Sequence, residues 1–121
     1  MPGRTILVVE DNDKNMKLFR DVLNAAGYRT LEASTGRQAV ELATQHLPTL
    51  VLMDIQLPGI DGVEATRALV DLPHAPVVVL LSTYDEDQVD AAGCGAASYL
   101  PKGAFGPDRL VAAWEAAPRQ G

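Results

Sequence analysis

The order of apolar runs and amphipathic segments predicts an α/β protein, built as a parallel sheet with helices on both faces. The apolar runs do not alternate with polar residues, and continuous runs of this kind are typical of strands that are buried on both sides. Connections long enough to hold a helix separate the runs, as parallel strands require. Because crossover connections are right-handed, five such strands are compatible with only a few topologies.

The strands are identified by runs rich in aliphatic and β-branched residues. The first, third and fourth runs are continuous in apolar character, whereas the second alternates and the fifth is brief. Each of the three continuous runs stops at a residue with an oxygen-bearing side chain, so these runs bear on function as well as on the fold. In chain order, the predicted strands are Thr5–Glu10, Tyr28–Ala33, Leu50–Asp54, Val77–Leu81 and Ala97–Leu100.

The first two predicted helices have clear ends. Asp13 is expected to cap the first helix, and Gly27 to terminate it. Ser34 or Thr35 is expected to cap the second helix, which ends before Pro48. Spacing near 3.6 residues places one set of apolar side chains on the buried face of each helix. These are Met16, Phe19, Leu23 and Ala26 in the first helix and Ala39, Val40, Leu42, Ala43 and Leu47 in the second.

The later helices are less regular. A third helix is predicted over Val63–Asp71 and a final one over Pro107–Ala117. A fourth helix begins near Asp85 but runs into Gly93 and Gly95. Because a glycine costs a helix on the order of 1 kcal/mol relative to alanine, this fourth helix is expected to be short and weak.

The composition is that of one ordinary globular domain. The 121 residues include 47% hydrophobic and 21% charged residues, which is a normal balance for a soluble protein. A net charge of −6 argues against the basic surface of a nucleic-acid binder. The single cysteine excludes an internal disulfide and fits a reducing compartment. No apolar run approaches the length of a membrane span, so we expect a cytoplasmic single domain over residues 1–121, with 118–121 as a loose tail.

Polar side chains stand at the ends of four predicted strands. Asp11, Asp54 and Ser82 end or follow the first, third and fourth strands, and Lys102 lies just past the fifth. Ligands of open parallel sheets bind at the carboxyl ends of the strands, near the point where the strand order reverses. We therefore expect these four residues to surround one site.

Glu10, Asp11 and Asp54 have the chemistry of a divalent cation site. Two carboxylates about 5 Å apart repel each other by roughly 3 kcal/mol at an effective dielectric of 20, and a hard cation relieves that repulsion. Mg²⁺ suits this sparse set of oxygen ligands better than Ca²⁺ does, with Mn²⁺ as its substitute, and the lack of nearby His or Cys ligands disfavours zinc and copper. The alternative is that Glu10 and Asp11 only cap the first helix and that Asp54 only begins a turn.

Asp54 also carries a functional group that can accept a phosphoryl group. A carboxylate acts as a nucleophile toward phosphorus and forms an aspartyl phosphate. Phosphoryl transfer depends mainly on positioning and on neutralisation of charge. Lys102 is a candidate for the protein's cation at such a site, and Ser82 for a hydrogen-bond donor to a phosphoryl oxygen. The alternative for Lys102 is an ordinary solvated surface lysine.

Three motifs together resemble the receiver domain of two-component response regulators. They are Val8–Asn12, Leu52–Gly62 and Tyr99–Lys102. The resemblance covers essentially the whole chain, and its first half is most similar to stand-alone cell-cycle and developmental receivers. It implies a flavodoxin-like (βα)5 fold, a doubly wound parallel sheet with the strand order 2-1-3-4-5.

The resemblance also implies a role for each residue of the site. Asp54 would accept the phosphoryl group from a phosphohistidine on a histidine kinase or a phosphotransfer protein. Asp11 and Asp54 would bind Mg²⁺ directly, Glu10 would bind it through water, and the backbone carbonyl of Gln56 would complete the protein ligands. Lys102 would bind the phosphate.

Three further residues are implicated in switching and in the lifetime of the phosphate. By resemblance, Ser82 and Tyr99 would change position on phosphorylation and switch an output face through which receivers commonly dimerise. Gln56 and Tyr84 are expected to control the access of water to the aspartyl phosphate and to slow its hydrolysis. A homodimer is therefore possible, and neither nucleic acid nor a membrane is an expected partner.

Two rival functions remain open at the level of sequence. One is a binding-only pseudo-receiver that is never phosphorylated, although the intact acidic pair, Asp54, Ser82 and Lys102 argue against it. The other is an aspartate-nucleophile phosphatase. Enzymes of that kind carry a second Asp two residues after the nucleophile, whereas this chain has Gln56. The favoured interpretation is a signalling module that catalyses only its own phosphorylation and dephosphorylation, and not an enzyme of metabolism.

Overall fold

The structure is a computed structural model that describes residues 4–54, 62–82 and 98–101, together with positions 106, 108, 109 and 112; at 62, 63, 82 and 98–101 it describes the backbone alone. Strands and helices alternate along these residues, as the sequence predicts. The strands are β1 (Thr5–Val9), β2 (Arg29–Ala33), β3 (Leu50–Asp54), β4 (Val77–Ser82) and β5 (Ser98–Pro101), and the helices are α1 (Asp13–Ala25), α2 (Gly36–His46) and α3 (Gly62–Val70).

The five strands form one parallel sheet in the order β2-β1-β3-β4-β5. This order confirms the doubly wound sheet that the sequence predicts. The strand order reverses after β2, because β2 lies on one side of β1 and β3 lies on the other. The strands β1 and β3 are therefore neighbours in the interior of the sheet. Val9 of β1 pairs with Met53 of β3, and Asp54 pairs with Leu81 of β4. The carboxyl ends of these three strands therefore lie at one edge.

The helix α1 covers one face of the sheet. Its side chains Met16, Phe19 and Leu23 are buried against a set of strand residues, namely Ile6, Val8, Leu50, Leu52, Val79 and Leu81. Burial of a side chain the size of leucine or phenylalanine stabilises the fold by about 1.5–3 kcal/mol. This packing fixes the position of α1 beside the carboxyl ends of β1 and β3.

The helices α2 and α3 cover the opposite face. Small residues of α2, Ala39 and Ala43, pack in the same buried cluster as Ala65 and Leu69 of α3. The strand residues in this cluster are Leu7, Val9, Ala33, Val51, Met53, Val78 and Leu80. Because both faces are covered, the central strands have apolar residues at consecutive positions, which explains why their sequences do not alternate.

Asn12, and not Asp13, caps α1. Asn12 has an extended backbone (φ −91°, ψ 120°), and its Oδ1 accepts a hydrogen bond of 3.1 Å from the backbone N–H of Asn15. Asp13 is the first helical residue, where its negative charge lies near the positive end of the helix dipole. The prediction for Asp13 was wrong because asparagine and aspartate are equally good caps and the sequence places them side by side. Gly27, with φ 94°, ends α1 as predicted.

Thr35 caps the start of α2, and Leu47 caps its end. The hydroxyl of Thr35 accepts a hydrogen bond of 3.1 Å from the backbone N–H of Gln38, which confirms one of the two predicted caps. Leu47 adopts a left-handed conformation with φ 49°, and 56% of it is exposed. The prediction that Leu47 faces the core was wrong because the helical spacing no longer applies once the backbone turns out of the helix.

The observed bounds differ from the predicted ones by one residue at several ends, because the ends of helices and strands fray. These ends are those of β1 at Val9, β2 at Arg29, β4 at Ser82, β5 at Ser98 and Pro101, and α3 at Gly62 and Val70. The predicted fourth helix near Asp85 lies outside the described residues. Of the predicted final helix, Pro107–Ala117, only positions 108, 109 and 112 are described, and each is helical. Among the described residues, no helix has the length and apolar character to span a bilayer.

Candidate phosphoacceptor and metal site

Three carboxylates meet at the carboxyl edge of β1 and β3. Glu10, Asp11 and Asp54 each offer one carboxylate oxygen, and these oxygens lie within 4.8 Å of one another. Glu10 and Asp54 are each only 2% exposed, whereas Asp11 is exposed. The cluster therefore has two acids at its floor and one at its solvent-facing rim.

The pairing of β1 with β3 explains why Glu10 and Asp54 meet. Val9 and Met53 are partners in register, and each is followed at once by an acid. The N–H of Glu10 continues the ladder toward β2, since it donates a 3.0 Å hydrogen bond to the carbonyl of Ala33. Side chains alternate between faces along a strand, and the residues two before each acid, Val8 and Leu52, pack on the α1 side. Both acids therefore share the face that α1 covers.

The arrangement fits a small, hard cation. Three carboxylates at this spacing repel one another, and two at about 5 Å do so by roughly 3 kcal/mol at an effective dielectric of 20. Oxygen ligands of this kind, with an open side for water and phosphate, are what Mg²⁺ prefers. Asp11 is exposed, so solvent reaches at least this one of the three carboxylates. The donor set therefore fits the predicted metal.

Asn15 also contacts this cluster, which the sequence did not predict. Its side-chain Nδ2 donates a hydrogen bond of 2.9 Å to Oε1 of Glu10. Asn15 lies in the first turn of α1, so the contact joins the helix to the acid at the end of β1. The sequence does place Asn15 within the first turn of the helix that directly follows the acids. A polar residue at this position usually indicates helix capping, so it did not point to the site.

The remaining predicted site residues are placed only in part. Ser82 is the last residue of β4 and pairs with Pro101, one position beyond Leu81, the partner of Asp54. Tyr99 pairs with Leu80. Gln56, Tyr84 and Lys102 lie outside the described residues, so their predicted roles stay predictions.

A doubly wound parallel sheet with acids from β1 and β3 at its carboxyl edge is the arrangement of a flavodoxin-like α/β protein with a site at the reversal of strand order. Comparison with known proteins identifies the family. The sequence model described as the response regulator receiver domain matches residues 6–115. The chain belongs to the receiver-domain family of response regulators, and its function is in two-component signalling.

The similarity extends to named relatives. The chain is 43% identical over 105 residues to the polar-differentiation response regulator DivK of Brucella ovis, which covers 82% of this chain and 84% of the relative. DivK of Brucella abortus matches equally well. These relatives bear out the predicted similarity to stand-alone receivers.

Solved structures of receivers have the same fold. One is the receiver domain of the sensor histidine kinase PA1611 from Pseudomonas aeruginosa, with a magnesium ion coordinated in its active-site cleft; it has 30% identity, a TM-score of 0.82, and coverage of 93% of this chain and 95% of that one. Another is the BeF₃-activated receiver domain of Klebsiella pneumoniae RstA, with 30% identity, a TM-score of 0.81, and coverage of 96% and 99%.

Proposed function

We propose that this receiver domain accepts a phosphoryl group on the carboxylate of Asp54, from a phosphohistidine on a histidine kinase or a phosphotransfer protein. The observation that carries the proposal is the convergence of Glu10, Asp11 and Asp54 within 4.8 Å. Asp54 ends a fully buried strand, and such a carboxylate is costly to place there without a function.

The transfer exchanges one bond to phosphorus for another. An oxygen of Asp54 forms the new O–P bond while the N–P bond of the phosphohistidine breaks, and the imidazole leaves with the electron pair of that bond. Because the imidazole is a good leaving group, the protein's main tasks are to align the two atoms and to neutralise charge on the phosphoryl oxygens. The strand position of Asp54 supports the first task, since packing on both faces of the sheet holds its backbone.

Mg²⁺ is the cofactor that this donor set favours. Asp11 and Asp54 would bind it directly and Glu10 through water, with the carbonyl of Gln56 as the remaining protein ligand. The metal, when bound, supplies positive charge to the phosphoryl oxygens. The magnesium ion in the related PA1611 receiver supports this assignment, and we expect Mn²⁺ to replace Mg²⁺ because it takes the same oxygen ligands.

Ser82, Lys102 and Tyr99 complete the proposed switch. Ser82 would donate a hydrogen bond to the phosphoryl group and Lys102 would pair with its charge, while Tyr99 would follow the movement of Ser82 and alter the output face. The position of Ser82 at the end of β4, next to the strand that carries Asp54, supports its role. Gln56 and Tyr84 would limit the approach of water and so lengthen the life of the phosphate.

We propose that the protein is a signalling module that catalyses only its own phosphorylation and dephosphorylation and turns over no metabolite. We propose that residues 1–121 form one cytoplasmic receiver domain with a loose tail at 118–121, which is capable of forming a homodimer. A net charge of −6 supports the exclusion of direct nucleic-acid binding, because phosphate backbones recruit basic surfaces.

Phosphorylation by acetyl phosphate tests the proposal. With MgCl₂ present, the protein should gain one phosphoryl group, about 80 Da by intact mass, and the gain should be absent with excess EDTA. Asp54→Asn should abolish it, whereas Asp71→Asn, a change of an exposed acid after α3, should leave it intact.

The same experiment separates the rival functions. No gain in mass would favour a binding-only pseudo-receiver, and a gain that persists in Asp54→Asn would refute the assignment of the acceptor. Catalytic release of phosphate from a small phosphate ester, at many turnovers per protein, would favour a phosphatase.

A further inference from the structure

The contact between Asn15 and Glu10 joins the first turn of α1 to the floor of the acidic cluster. Nδ2 of Asn15 lies 2.9 Å from Oε1 of Glu10. Glu10 is 2% exposed, and Asn15 is half-buried. The donor is neutral, so it restrains one oxygen of the carboxylate without neutralising the negative charge of Glu10.

The backbone of Asn15 is itself held in place. Its N–H donates to Oδ1 of the cap residue Asn12 at 3.1 Å, and the next N–H, that of Met16, donates to the carbonyl of Asn12 at 2.9 Å. Met16 is buried under the sheet face. The cap and the core thus fix the Cα from which the Asn15 amide reaches Glu10.

The side chain of Asn15 points away from the position that it would occupy in a capping box. In that motif, the side chain of the third helical residue turns back to the backbone N–H of the cap residue. Asn15 is the third helical residue of α1, but its amide donates to Glu10. The first turn of the helix is therefore used to orient an acid of the site as well as to begin the helix.

We propose that Asn15 is a positioning residue of the cation site, acting through Glu10. The inference rests on the proposed function, because it assumes that the acidic cluster binds a divalent cation. Glutamate has three rotatable side-chain bonds, and each must be restrained for its carboxylate to face a metal. Asn15 restrains the carboxylate of Glu10 through Oε1, and one oxygen of that carboxylate lies within 4.8 Å of oxygens of Asp11 and Asp54. Removal of a group that holds a direct metal ligand typically lowers metal affinity by about 10–100-fold. Because Glu10 would bind through water, we expect a loss at the lower end of that range.

Substitution of Asn15 tests the inference. Asn15→Ala removes the donor and keeps a good helix former, while Asn15→Gln keeps an amide. Asn24→Ala is the matched control, since Asn24 lies on the same helix and its Oδ1 accepts a 3.4 Å hydrogen bond from Thr30, away from the acids. The affinity for MgCl₂ is measured by calorimetry and that for MnCl₂ by electron paramagnetic resonance, and unfolding by urea without metal reports stability separately.

The expected result is a specific loss of metal affinity. Asn15→Ala should bind Mg²⁺ about 10-fold more weakly, with phosphorylation slowed at limiting MgCl₂ and restored at saturating MgCl₂. Asn15→Gln should recover most of the affinity, and Asn24→Ala should match the unsubstituted protein.

Two outcomes would overturn the inference alone. The first is an unchanged Mg²⁺ affinity in folded Asn15→Ala, and the second is an equal loss in Asn15→Gln, which would show that the amide is not what matters. If the unsubstituted protein bound neither Mg²⁺ nor Mn²⁺, the proposed function itself would fail and this inference with it.

Discussion

Val9 of β1 and Met53 of β3 are direct partners in the parallel sheet, and the residue that follows each is a buried acid. This one pairing brings Glu10 and Asp54 together on the α1 face. A slip of one residue between the strands would send the side chains of one strand to the opposite face. The register of β1 against β3 therefore fixes the geometry of the site as well as the fold.

Repulsion within the acidic cluster predicts that Asp11→Asn stabilises the metal-free protein. Removal of one negative charge from three that lie within 4.8 Å should raise the free energy of unfolding by about 1 kcal/mol, less than the full repulsion because Asp11 is exposed. MgCl₂ should stabilise the unsubstituted protein more than the variant. The variant has one carboxylate fewer and so binds Mg²⁺ more weakly, and a ligand stabilises the folded state according to its affinity for it. Urea unfolding with and without MgCl₂ measures both effects.

An exposed acid outside the cluster provides the control for this prediction. Asp71→Asn should change the free energy of unfolding by less than about 0.5 kcal/mol, with or without MgCl₂. Destabilisation of the metal-free protein by Asp11→Asn would contradict the electrostatic account of the site.

The left-handed backbone at Leu47 predicts opposite effects for two substitutions. Leu47 has φ 49° and is 56% exposed, so its side chain contributes little burial to offset the cost of this conformation. Leu47→Gly should raise the free energy of unfolding by about 0.5–1 kcal/mol, because glycine adopts positive φ without steric cost. Leu47→Val should lower it, because a β-branched side chain is the least compatible with that region. Thermal unfolding of both variants measures these effects. A higher stability for Leu47→Val than for Leu47→Gly would refute the left-handed conformation at position 47.

The pair formed by Lys17 and Asp21 predicts a small effect of pH on α1. The hydrogen bond from Lys17 to Asp21, 2.7 Å long, lowers the pKa of Asp21 below its ordinary value of 3.8, and the charges of Lys17 and Arg20 add to this effect. Because the folded pKa is the lower one, the contribution to stability is present above about pH 4 and is lost as the pH falls through the folded pKa.

Nuclear magnetic resonance titration of the Asp21 carboxyl checks this pair. Lys17→Met should raise the pKa of Asp21 toward 3.8, and Lys14→Met, a change of another exposed lysine of α1, should not. Added salt should reduce the difference, since the pair is exposed. An unchanged pKa in Lys17→Met would rule out the pair in solution.

The fold followed from the sequence because its strands are marked by local composition. Leu50–Asp54 has the same bounds in the prediction and in the structure, since apolar residues fill both faces and a charge ends the run. Leu47 was assigned to the wrong environment, because helical spacing does not indicate where the backbone leaves the helix. Asp13 was mistaken for the cap, since the preference for Asp and for the neighbouring Asn12 is nearly equal.

The site was predictable to the extent that its residues directly follow strands. Glu10, Asp11 and Asp54 converge because parallel strands end at a common edge, and their position in the chain is enough to show this. Asn15 was not identified, since its contact with Glu10 depends on how α1 packs on the sheet and not on the order of residues. Contacts between elements of this kind require the angle and depth of packing, which the sequence pattern does not contain.

Chemical localisation of the phosphoryl group shows whether Asp54 is the residue that carries it. Borohydride reduces an aspartyl phosphate to homoserine, so the protein is phosphorylated with acetyl phosphate and MgCl₂, reduced, digested and sequenced by tandem mass spectrometry. We expect homoserine at position 54 alone. Homoserine at position 11 or at any other aspartate, with Asp54 unmodified, would contradict this assignment.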